Sequence, residues 1–500
     1  MSGAEQPPLF TTITSPSGRL AAFVRFREVA GHVVVTNLEG ELVILTRDEF
    51  RRFVEGRIEP GEPLYERLRE RNMLRAHYDV RRAAEAWRAR RFFLDAGPNL
   101  HIFVVTLRCN ETCVYCHASR APMDATHTDM TPEIAEKAVD LALRTTSPYV
   151  TIEFQGGEPL VNFPVVEHVV RYARERNRRA GKVLEFTMVT NLSCMDEERL
   201  RFLLDNRVQI CTSVDGPAVL HDRQRKLPGG SAHAVTAQWI ERINRAYVEM
   251  GLDPSLYHVE ALLTTTRETL PLWKEVVDTY VALGCRTIFL RPVDPFGFAQ
   301  RTSGRVEYPR AEYMAFYRKA LDYILELNAR GIEIMERYAA IFLTKMLRGQ
   351  DPNFLDIRSP GGQAIGVLAY NYDGGIYTCD EGRMLHEMGD DTFRIGDVRT
   401  ARYRDLFRHP TVRAVVLASN LDQNPDCVCC AYQPFCGLPP SHAHKTQGTM
   451  FGRPRESTLC YVHKHIQDVL IEKLAQGDAT TRAIFERWTT IRPREHFLQS

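Results

Sequence analysis

Short apolar runs and longer helical patterns alternate between about residues 100 and 345. The runs are rich in β-branched and aromatic residues, as in buried strands, and the stretches between them carry apolar residues at helical spacing. Six such units predict parallel strands joined by right-handed crossovers. Because a closed barrel of this type needs eight units, we expect an open, partial (β/α)6 barrel. Its predicted strands are 101–107, 149–155, 184–190, 208–214, 257–263 and 286–291.

The first ninety or so residues show a different pattern. Two β-branched runs, His32–Thr36 and Glu41–Leu45, flank a four-residue loop and predict a β-hairpin. Thr46, with Glu49 three residues later, predicts a capping box that begins a helix. Strands followed by short helices favour a winged-helix-like module over 1–95. The alternative is a domain that only packs against the rest of the chain.

Composition changes again after residue 345. Residues 346–475 are richer in Gly and Pro and contain six of the twelve cysteines. This composition predicts a loop-rich domain that needs stabilisation from outside its own core. A helix and a polar tail are expected at the end of the chain. The predicted organisation is therefore 1–95, 96–345, 346–475 and 476–500.

The overall composition is that of a globular protein, with 44% hydrophobic and 25% charged residues. At about 150 residues per domain, the 500 residues correspond to about three domains. The formal net charge is +1, so no overall field attracts nucleic acid or an anionic membrane. No apolar run approaches the about 18 residues of a membrane span, and the start, MSGAEQPPLF, lacks the features of a secretory signal. We therefore expect a cytoplasmic protein whose cysteines are not paired in disulfides.

Three cysteines follow the first predicted barrel strand, in Cys109-Asn-Glu-Thr-Cys113-Val-Tyr-Cys116. The carboxyl ends of parallel strands are where active sites gather in such folds. Three thiolates on one short loop can ligate three corners of a cubane iron–sulfur cluster and leave one iron open to a small molecule. The alternatives are a zinc site that adds His117, or plain thiols.

This spacing, with an aromatic residue before the last cysteine, resembles the signature of the radical S-adenosylmethionine (SAM) superfamily. The resemblance implies a [4Fe-4S] cluster on the three cysteines and SAM bound to the open iron. One electron then cleaves SAM to a 5′-deoxyadenosyl radical, which abstracts a hydrogen from the substrate. The resemblance also implies cofactor contacts at the strand ends, although each such residue could instead cap a helix or close a turn. The predicted cofactor-binding residues are Tyr115, Gly156, Gly157, Glu158, Pro159, Asn191, Ser213, Asp215 and Arg225.

Two features of this set have a direct chemical reason. The two glycines, Gly156 and Gly157, allow close approach of the backbone to a ligand. Glu158 can accept hydrogen bonds from an ammonium group, and the resemblance places that segment at the methionine amino group of SAM.

A second group of cysteines lies near the end of the chain. Four thiolates suit either a fully ligated cluster or a structural zinc. This region resembles the SPASM domain of peptide-modifying radical enzymes, which holds auxiliary [4Fe-4S] clusters. The match predicts one auxiliary cluster, because only Cys379 fits the other ligand set and a lone cysteine cannot hold a cubane. The predicted ligands are Cys427, Cys430, Cys436 and Cys460.

The remaining cysteines receive simpler interpretations. Cys429 is an extra thiol, and the isolated Cys194, Cys211 and Cys285 are expected in the core. Asp380 directly follows Cys379. In some SPASM enzymes an aspartate here takes the substrate proton, so Asp380 is the predicted catalytic base; the alternative is a solvated turn residue.

Longer segments resemble the B-type radical maturase family of the His-Xaa-Ser system, over most of the chain. The resemblance implies an α/β fold: a partial (β/α)6 radical SAM barrel, an N-terminal winged-helix-like module and a C-terminal SPASM/twitch-like cluster domain. It also implies a ribosomally made precursor peptide with His-Xaa-Ser repeats, a sister radical SAM maturase, and a reductant such as flavodoxin or ferredoxin. The matching segments are 153–160, 289–298, 370–375, 380–384 and 431–437.

These resemblances together suggest one sequence of events. A leader adds a strand to the hairpin at 32–45, the repeat enters the barrel mouth, and the radical removes a hydrogen. The substrate radical forms a cross-link, and the auxiliary cluster accepts an electron or only shapes the pocket. The alternatives are side-chain oxidation like that of sulfatase-maturing or quinohemoprotein-type enzymes, a non-catalytic partner of a sister maturase, and a zinc-stabilised peptide-binding protein.

Overall fold

The structure is a computed structural model that describes residues 20–499. The MSGAEQPPLF start and the rest of the first nineteen residues of the predicted N-terminal module lie outside the described residues, as does Ser500 of the predicted tail. The described chain has the predicted mixed α/β fold, built around a nine-stranded sheet. No helix in residues 20–499 combines the length and the apolar character needed to cross a membrane.

The N-terminal module contains the predicted hairpin and one strand that was not predicted. Its antiparallel sheet has the order β1-β2-β3, so β2 lies between the other two strands. The Thr46–Glu49 capping box is formed as predicted and begins α1. The elements are β1 (Val24–Val29), β2 (His32–Asn37), β3 (Leu42–Thr46), α1 (Arg47–Val54), α2 (Pro63–Glu70) and α3 (Val80–Arg90).

All six predicted barrel strands are present. Four begin and end within one residue of the prediction, whereas the fifth begins three residues late and the sixth is divided into two short strands. The barrel-forming strands are parallel to one another. The strands of this region are β4 (Leu100–Thr106), β5 (Thr112–Cys113), β6 (Tyr149–Gly156), β7 (Val183–Val189), β8 (Val208–Ser213), β9 (Arg225–Lys226), β10 (Glu260–Thr265), β11 (Thr287–Ile288), β12 (Leu290–Pro292) and β13 (Met335–Glu336).

Helices cover the outer face of this sheet. Their apolar sides pack on alternate strand residues such as Phe154, Phe186 and Ile210, which are fully buried. Burial of aromatic and aliphatic side chains between the layers is the main stabilising term of such a fold. The helices are α4 (Pro132–Ala142), α5 (Phe163–Ala180), α6 (Glu197–Asp205), α7 (Ala218–Gln224), α8 (Ala232–Glu249), α9 (Trp273–Ala282), α10 (Phe298–Arg301), α11 (Ser303–Val306), α12 (Arg310–Ala329) and α13 (Arg337–Leu343).

The sheet continues beyond the boundary predicted at residue 345. A strand of the C-terminal region, β14 (Val367–Tyr370), pairs in parallel with β4 and is followed by two antiparallel strands. The full strand order is β12-β10-β8-β7-β6-β4-β14, followed by β15 (Gly375–Tyr377) and β16 (Arg394–Asp397). The helices are α14 (Asp380–His386), α15 (Tyr403–Leu406), α16 (Pro410–Ser419), α17 (Pro425–Val428), α18 (Pro440–Gln447), α19 (Thr458–Gln476) and α20 (Ala479–Trp488).

The last residues pack against the barrel rather than forming only a polar tail. Phe497 is buried between Tyr247 and Tyr257, and Gln499 pairs with Leu184 at the beginning of β7. This contact lies at the amino ends of the strands, opposite the predicted site. The tail therefore closes the far end of the barrel.

Candidate active site

The three loop cysteines lie together at the carboxyl ends of the strands. Cys109, Cys113 and Cys116 line a cavity of about 450 Å³ inside the barrel. Burial raises the pKa of Cys113 well above its ordinary value, and the nearby Cys116 and Cys109 raise it further, whereas Arg225 lowers it. The three thiols therefore share one partly enclosed space, as the sequence predicts.

A buried polar network holds this loop in place. Tyr115 donates a 2.5 Å hydrogen bond to Asp215, and the Arg225 Nε donates to the Tyr115 hydroxyl at 2.9 Å. Arg225 also pairs with Asp215 at 3.3 Å and with Glu111 at 3.4 Å. Burial opposes the charge of Arg225, but Cys113 and these acids outweigh it and raise the pKa of its guanidinium. Tyr115 and Arg225 line the cavity, whereas Asp215 is fully buried behind them.

The predicted glycine pair lies directly beneath the cysteine loop. Gly156 has φ = +151°, and a Cβ there would overlap the carbonyl oxygen of Thr106. A Cβ at Gly157 would overlap the carbonyl oxygens of Leu107 and Arg108. Both residues line the cavity. Glycine is needed here because only its bare backbone fits this close to the base of the loop.

Glu158 faces the interior rather than the cavity. Its carboxylate accepts hydrogen bonds from the backbone N–H of Leu160 and Asn191 and from the Thr190 hydroxyl, at 2.7–3.0 Å. Burial raises its pKa to about 7. Pro159 is buried beside it, at the start of a 3₁₀ turn. In the structure Glu158 holds the segment that follows β7. The cofactor contact expected of it from the sequence stays a prediction.

Asn191 and Ser213, both predicted to bind the cofactor, line the cavity. The Asn191 Nδ2 donates to the Cys109 Sγ at 3.7 Å and to the Asn110 side chain at 3.2 Å. The first contact joins the end of the third barrel strand to the first cysteine. Asp215 contacts Tyr115 and Arg225 in the structure. The cofactor contact expected of it in the same region stays a prediction.

Asp380, from the C-terminal region of the chain, lines the same cavity. It is the first residue of α14, and its Oδ1 accepts hydrogen bonds from Arg383 at 2.8 and 3.3 Å. Cys379, which precedes it, is buried, and its sulfur caps the same helix through the Gly382 N–H at 3.3 Å. Cys379 thus caps α14, and its exclusion from the cluster ligands stays a prediction.

Several cavity residues were not singled out from the sequence. They occupy alternate positions of neighbouring strands, because side chains of a strand point to opposite faces. Polar residues at every second position of otherwise apolar strands are the signal that predicts such a lining. Cys211, expected in the core, belongs to this set, whereas Cys285 is buried as expected. The residues are Glu153, Gln155, Thr187, Val189, Gln209 and Cys211, with Arg291, Phe354 and Asp356 beyond them.

The second group of cysteines converges at a separate site in the C-terminal region. Burial raises the pKa of Cys436 well above its ordinary value, and the nearby thiols of Cys460, Cys427 and Cys430 raise it further. Cys429, by contrast, is exposed. The thiols of Cys427, Cys430 and Cys460 therefore lie near that of Cys436.

A smaller cavity of about 60 Å³ lies between the two sites. Phe289, Arg291, Phe354 and Asp356 line both this cavity and the larger one. Its other end reaches His463, whose Nδ1 is 3.9 Å from the Cys436 Sγ. Within residues 20–499, no three His, Cys, Asp or Glu side chains surround a point at which a single metal ion would bind.

Comparison with known families addresses the cysteine loop directly. Residues 103–253, which contain the loop, the glycine pair and Arg225, match the family model described as the radical SAM superfamily. This similarity covers less than half of the chain. The family uses a [4Fe-4S] cluster and SAM, so the predicted cofactors of this loop are confirmed at the level of the family.

Two curated relatives extend the similarity. An uncharacterized protein of Methanocaldococcus jannaschii, MJ0907, is 26% identical over 189 residues, which cover 37% of this chain and 60% of that protein. A cysteine-type anaerobic sulfatase-maturating enzyme of Clostridium perfringens is 22% identical over 304 residues, which cover 60% of this chain and 77% of the enzyme. The chain thus spans less than two thirds of the first relative and about three quarters of the second.

Two solved structures share the fold beyond the radical SAM domain. Native anSMEcpe with bound AdoMet superposes with a TM-score of 0.61 and 18% identity, over 77% of this chain and 100% of that one. Streptococcus suis SuiB bound to the precursor peptide SuiA superposes with a TM-score of 0.52 and 13% identity, over 87% of this chain and 98% of SuiB. At these identities the likeness concerns the fold alone.

The residues present fit the cofactors of a radical SAM domain. Three thiols line one end of a cavity, and a glycine backbone that no Cβ could replace lies beneath them. Three cysteines leave one iron of a cubane without a protein ligand, which is the position a bidentate small molecule requires. Cys109, Cys113 and Cys116 would hold the cluster, and the Gly156–Gly157 backbone, Asn191 and Ser213 border the space next to it.

Proposed function

We propose that this chain is a radical SAM maturase that oxidatively modifies or cross-links a ribosomally made precursor peptide of the His-Xaa-Ser type. The observation that carries the proposal is the barrel cavity of about 450 Å³, which is lined by both the cysteine loop and Asp380. A cavity of this size accommodates a small molecule beside part of a larger substrate. The names of two similar proteins, a sulfatase-maturating enzyme and a SuiB with a bound precursor peptide, support a protein or peptide as substrate.

When bound, the cluster and SAM supply a 5′-deoxyadenosyl radical that removes a hydrogen atom from the substrate. The chain's own contribution is to position the reactants and to exclude water. Tyr115, Asp215 and Arg225 fix the cysteine loop, and Glu158 fixes the end of β7. Arg291 and Phe354, which also line the cavity, are proposed to contact the peptide.

Asp380 is the group proposed to take the substrate proton. Both hydrogen bonds from Arg383 reach Oδ1, so Oδ2 is left for a proton from the substrate. A carboxylate held within reach of the reacting carbon acts as a general base. Arg383 pairs with this Oδ1 at 2.8 Å and so holds the carboxylate in one orientation.

Cys427, Cys430, Cys436 and Cys460 are proposed to hold one auxiliary [4Fe-4S] cluster. Their proximity supports binding of a shared metal group. Burial favours the neutral thiols until a metal displaces the protons. The smaller cavity that joins this site to the substrate side supports a role close to the peptide. Metal analysis that found zinc without iron or sulfide would refute this assignment.

The N-terminal module is proposed to bind the leader by strand addition at β3. The other strand of the predicted hairpin, β2, is paired on both edges because β1 covers it. Only β3 of that hairpin therefore remains at an edge of the sheet, where an added strand can pair. A sister maturase, a flavodoxin or ferredoxin reductant and a cytoplasmic location are further parts of this proposal.

The test is a reaction of anaerobically reconstituted protein with SAM, reductant and a synthetic precursor peptide. The proposal predicts 5′-deoxyadenosine and a peptide that has lost two hydrogens, with a new bond located by fragmentation. Loss of the same mass from a single side chain, without a new bond, would favour the second candidate, which is sulfatase-maturase-like oxidation. That candidate is supported by the similarity to the Clostridium perfringens enzyme. No 5′-deoxyadenosine would refute both and favour a non-catalytic partner.

A further inference from the structure

The N-terminal module packs directly against the loop that carries three of the second group of cysteines. Arg25, on β1, donates from Nε to the carbonyl oxygen of Val428 at 2.6 Å. Thr36, on β2, donates to the carbonyl oxygen of Ala431 at 2.7 Å. Both acceptors lie between Cys427 and Cys436. Two strands of a module some 400 residues away in sequence thus hold the backbone of the cysteine loop.

Arg25 is buried at this contact with an incomplete set of partners. The residue is 5% exposed, and its Nη1 is buried without a hydrogen-bond partner within residues 20–499. A guanidinium has five N–H donors, and an unpaired charged donor in the interior is costly. An acceptor other than the described chain is therefore needed here. Burial lowers the pKa of Arg25, whereas Asp422 and the cysteines Cys430, Cys429 and Cys427 raise it, so these groups lie near the guanidinium.

The neighbouring arginine on the same face of β1 shows the contrast. Arg27 makes two hydrogen bonds of 2.7 Å to the carboxylate of Asp468, so its charge is matched within the chain. Arg25 has no carboxylate bonded to it in the part of the chain described. Of the two arginines, Arg25 is therefore the one whose charge and Nη1 donor remain available to a group outside the described chain.

We infer that Arg25 is a positioning residue of the auxiliary centre, which donates a hydrogen bond from the N-terminal module to the cluster held by Cys427, Cys430, Cys436 and Cys460. The inference rests on the proposed auxiliary cluster. Hydrogen bonds and positive charge near a cluster stabilise its more negative, reduced state. The N-terminal module is thereby part of the metal site as well as a candidate leader-binding element.

The test uses the full chain with Cys109, Cys113 and Cys116 changed to Ala, so that only the auxiliary cluster remains. The midpoint potential of that cluster is measured by redox titration for Arg25→Gln, Arg25→Lys and Thr36→Val. Arg25→Gln removes the charge. At a fixed applied potential we expect the ratio of reduced to oxidised cluster to fall about tenfold, which is a decrease of about 59 mV in midpoint potential. Arg25→Lys keeps the charge and shifts the potential less. Thr36→Val removes a contact to the same loop without changing charge. The cluster in this variant should therefore have the same midpoint potential as in the triple-alanine protein that still carries Arg25 and Thr36.

Four outcomes separate the possibilities. Loss of auxiliary iron from Arg25→Gln but not from Arg25→Lys would support the inference as the predicted shift does. An unchanged potential in Arg25→Gln, or an equal shift in Thr36→Val, would overturn it and leave the auxiliary cluster standing. Loss of iron from both Arg25 variants would make Arg25 a packing residue and overturn it too. If the triple-alanine protein itself bound no iron, the auxiliary cluster would be refuted, and the inference with it.

Discussion

The hydroxyl of Tyr115 donates a 2.5 Å hydrogen bond to Asp215, and this bond joins the cysteine loop to the end of the fourth barrel strand. Both side chains are buried, and Arg225 contacts both. The aromatic position of the cysteine motif therefore has a structural reason here. It attaches a loop that must hold a cluster to the rigid sheet beneath it.

Tyr115→Phe should destabilise the apoprotein, because it leaves the buried carboxylate of Asp215 without one of its donors. We expect a loss of about 1–3 kcal/mol, measured as a lower midpoint of urea unfolding. Tyr149→Phe is the matched control, since Tyr149 is exposed. An equal effect in the two variants would contradict the role of the hydrogen bond.

Asp380→Asn should lower the rate of peptide modification by about 10²–10⁴-fold, the usual contribution of a general base. Release of 5′-deoxyadenosine should continue, because Asp380 is not one of the three cysteines proposed to hold the radical SAM cluster. Liquid chromatography of both products in one reaction measures the two rates. Asp405→Asn, at a side chain 60% exposed, is the control and should leave both rates unchanged. Full peptide turnover by Asp380→Asn would refute the assignment.

Stability at low pH should depend on Glu260, at the beginning of β10. Burial raises its pKa, but the charges of Arg494 and Arg337 outweigh burial and lower it to about 2. Because this folded-state pKa lies below the unfolded value of about 4.3, the carboxylate stabilises the fold above that pH. The contribution, about 3 kcal/mol, is lost as pH falls from there to about 2.

Arg494→Gln tests this assignment, since Arg494 belongs to the C-terminal tail and pairs with Glu260. The variant should be less stable at neutral pH and should lose less stability on acidification than wild type. Unfolding curves in urea at several pH values measure both effects. Arg492→Gln removes a neighbouring, half-exposed arginine whose partner is Asp253, and it should follow the wild-type pH dependence. Identical pH profiles for all three proteins would refute the role of the pair.

Much of the fold is encoded locally, and those parts were predictable. The capping box of Thr46 and Glu49 needs only neighbouring residues, and the barrel strands are apolar runs that any parallel sheet buries. Strand β1 was missed because Arg25 and Arg27 interrupt its apolar pattern. Their partners, Val428 and Asp468, are more than 400 residues away in sequence.

The candidate site divides in the same way. Cysteine spacing predicts the ligand sets, because a short loop must place its thiolates around one cluster. The direction in which Glu158 and Asp215 point depends on Thr190, Asn191 and Tyr115, which come from other strands and loops. Motif position alone therefore identified residues of the right region but did not separate those that line the cavity from those that support it.

The central claim is one radical SAM cluster and one auxiliary cluster in each chain. Its most direct test is iron and sulfide per chain after anaerobic reconstitution. Wild type should bind about eight irons and Cys430→Ala about four. The adjacent Cys429→Ala should still bind about eight, because Cys429 is exposed and is not one of the four predicted ligands. About four irons in wild type, unchanged in Cys430→Ala, would contradict the auxiliary cluster, and about twelve would contradict the exclusion of Cys379.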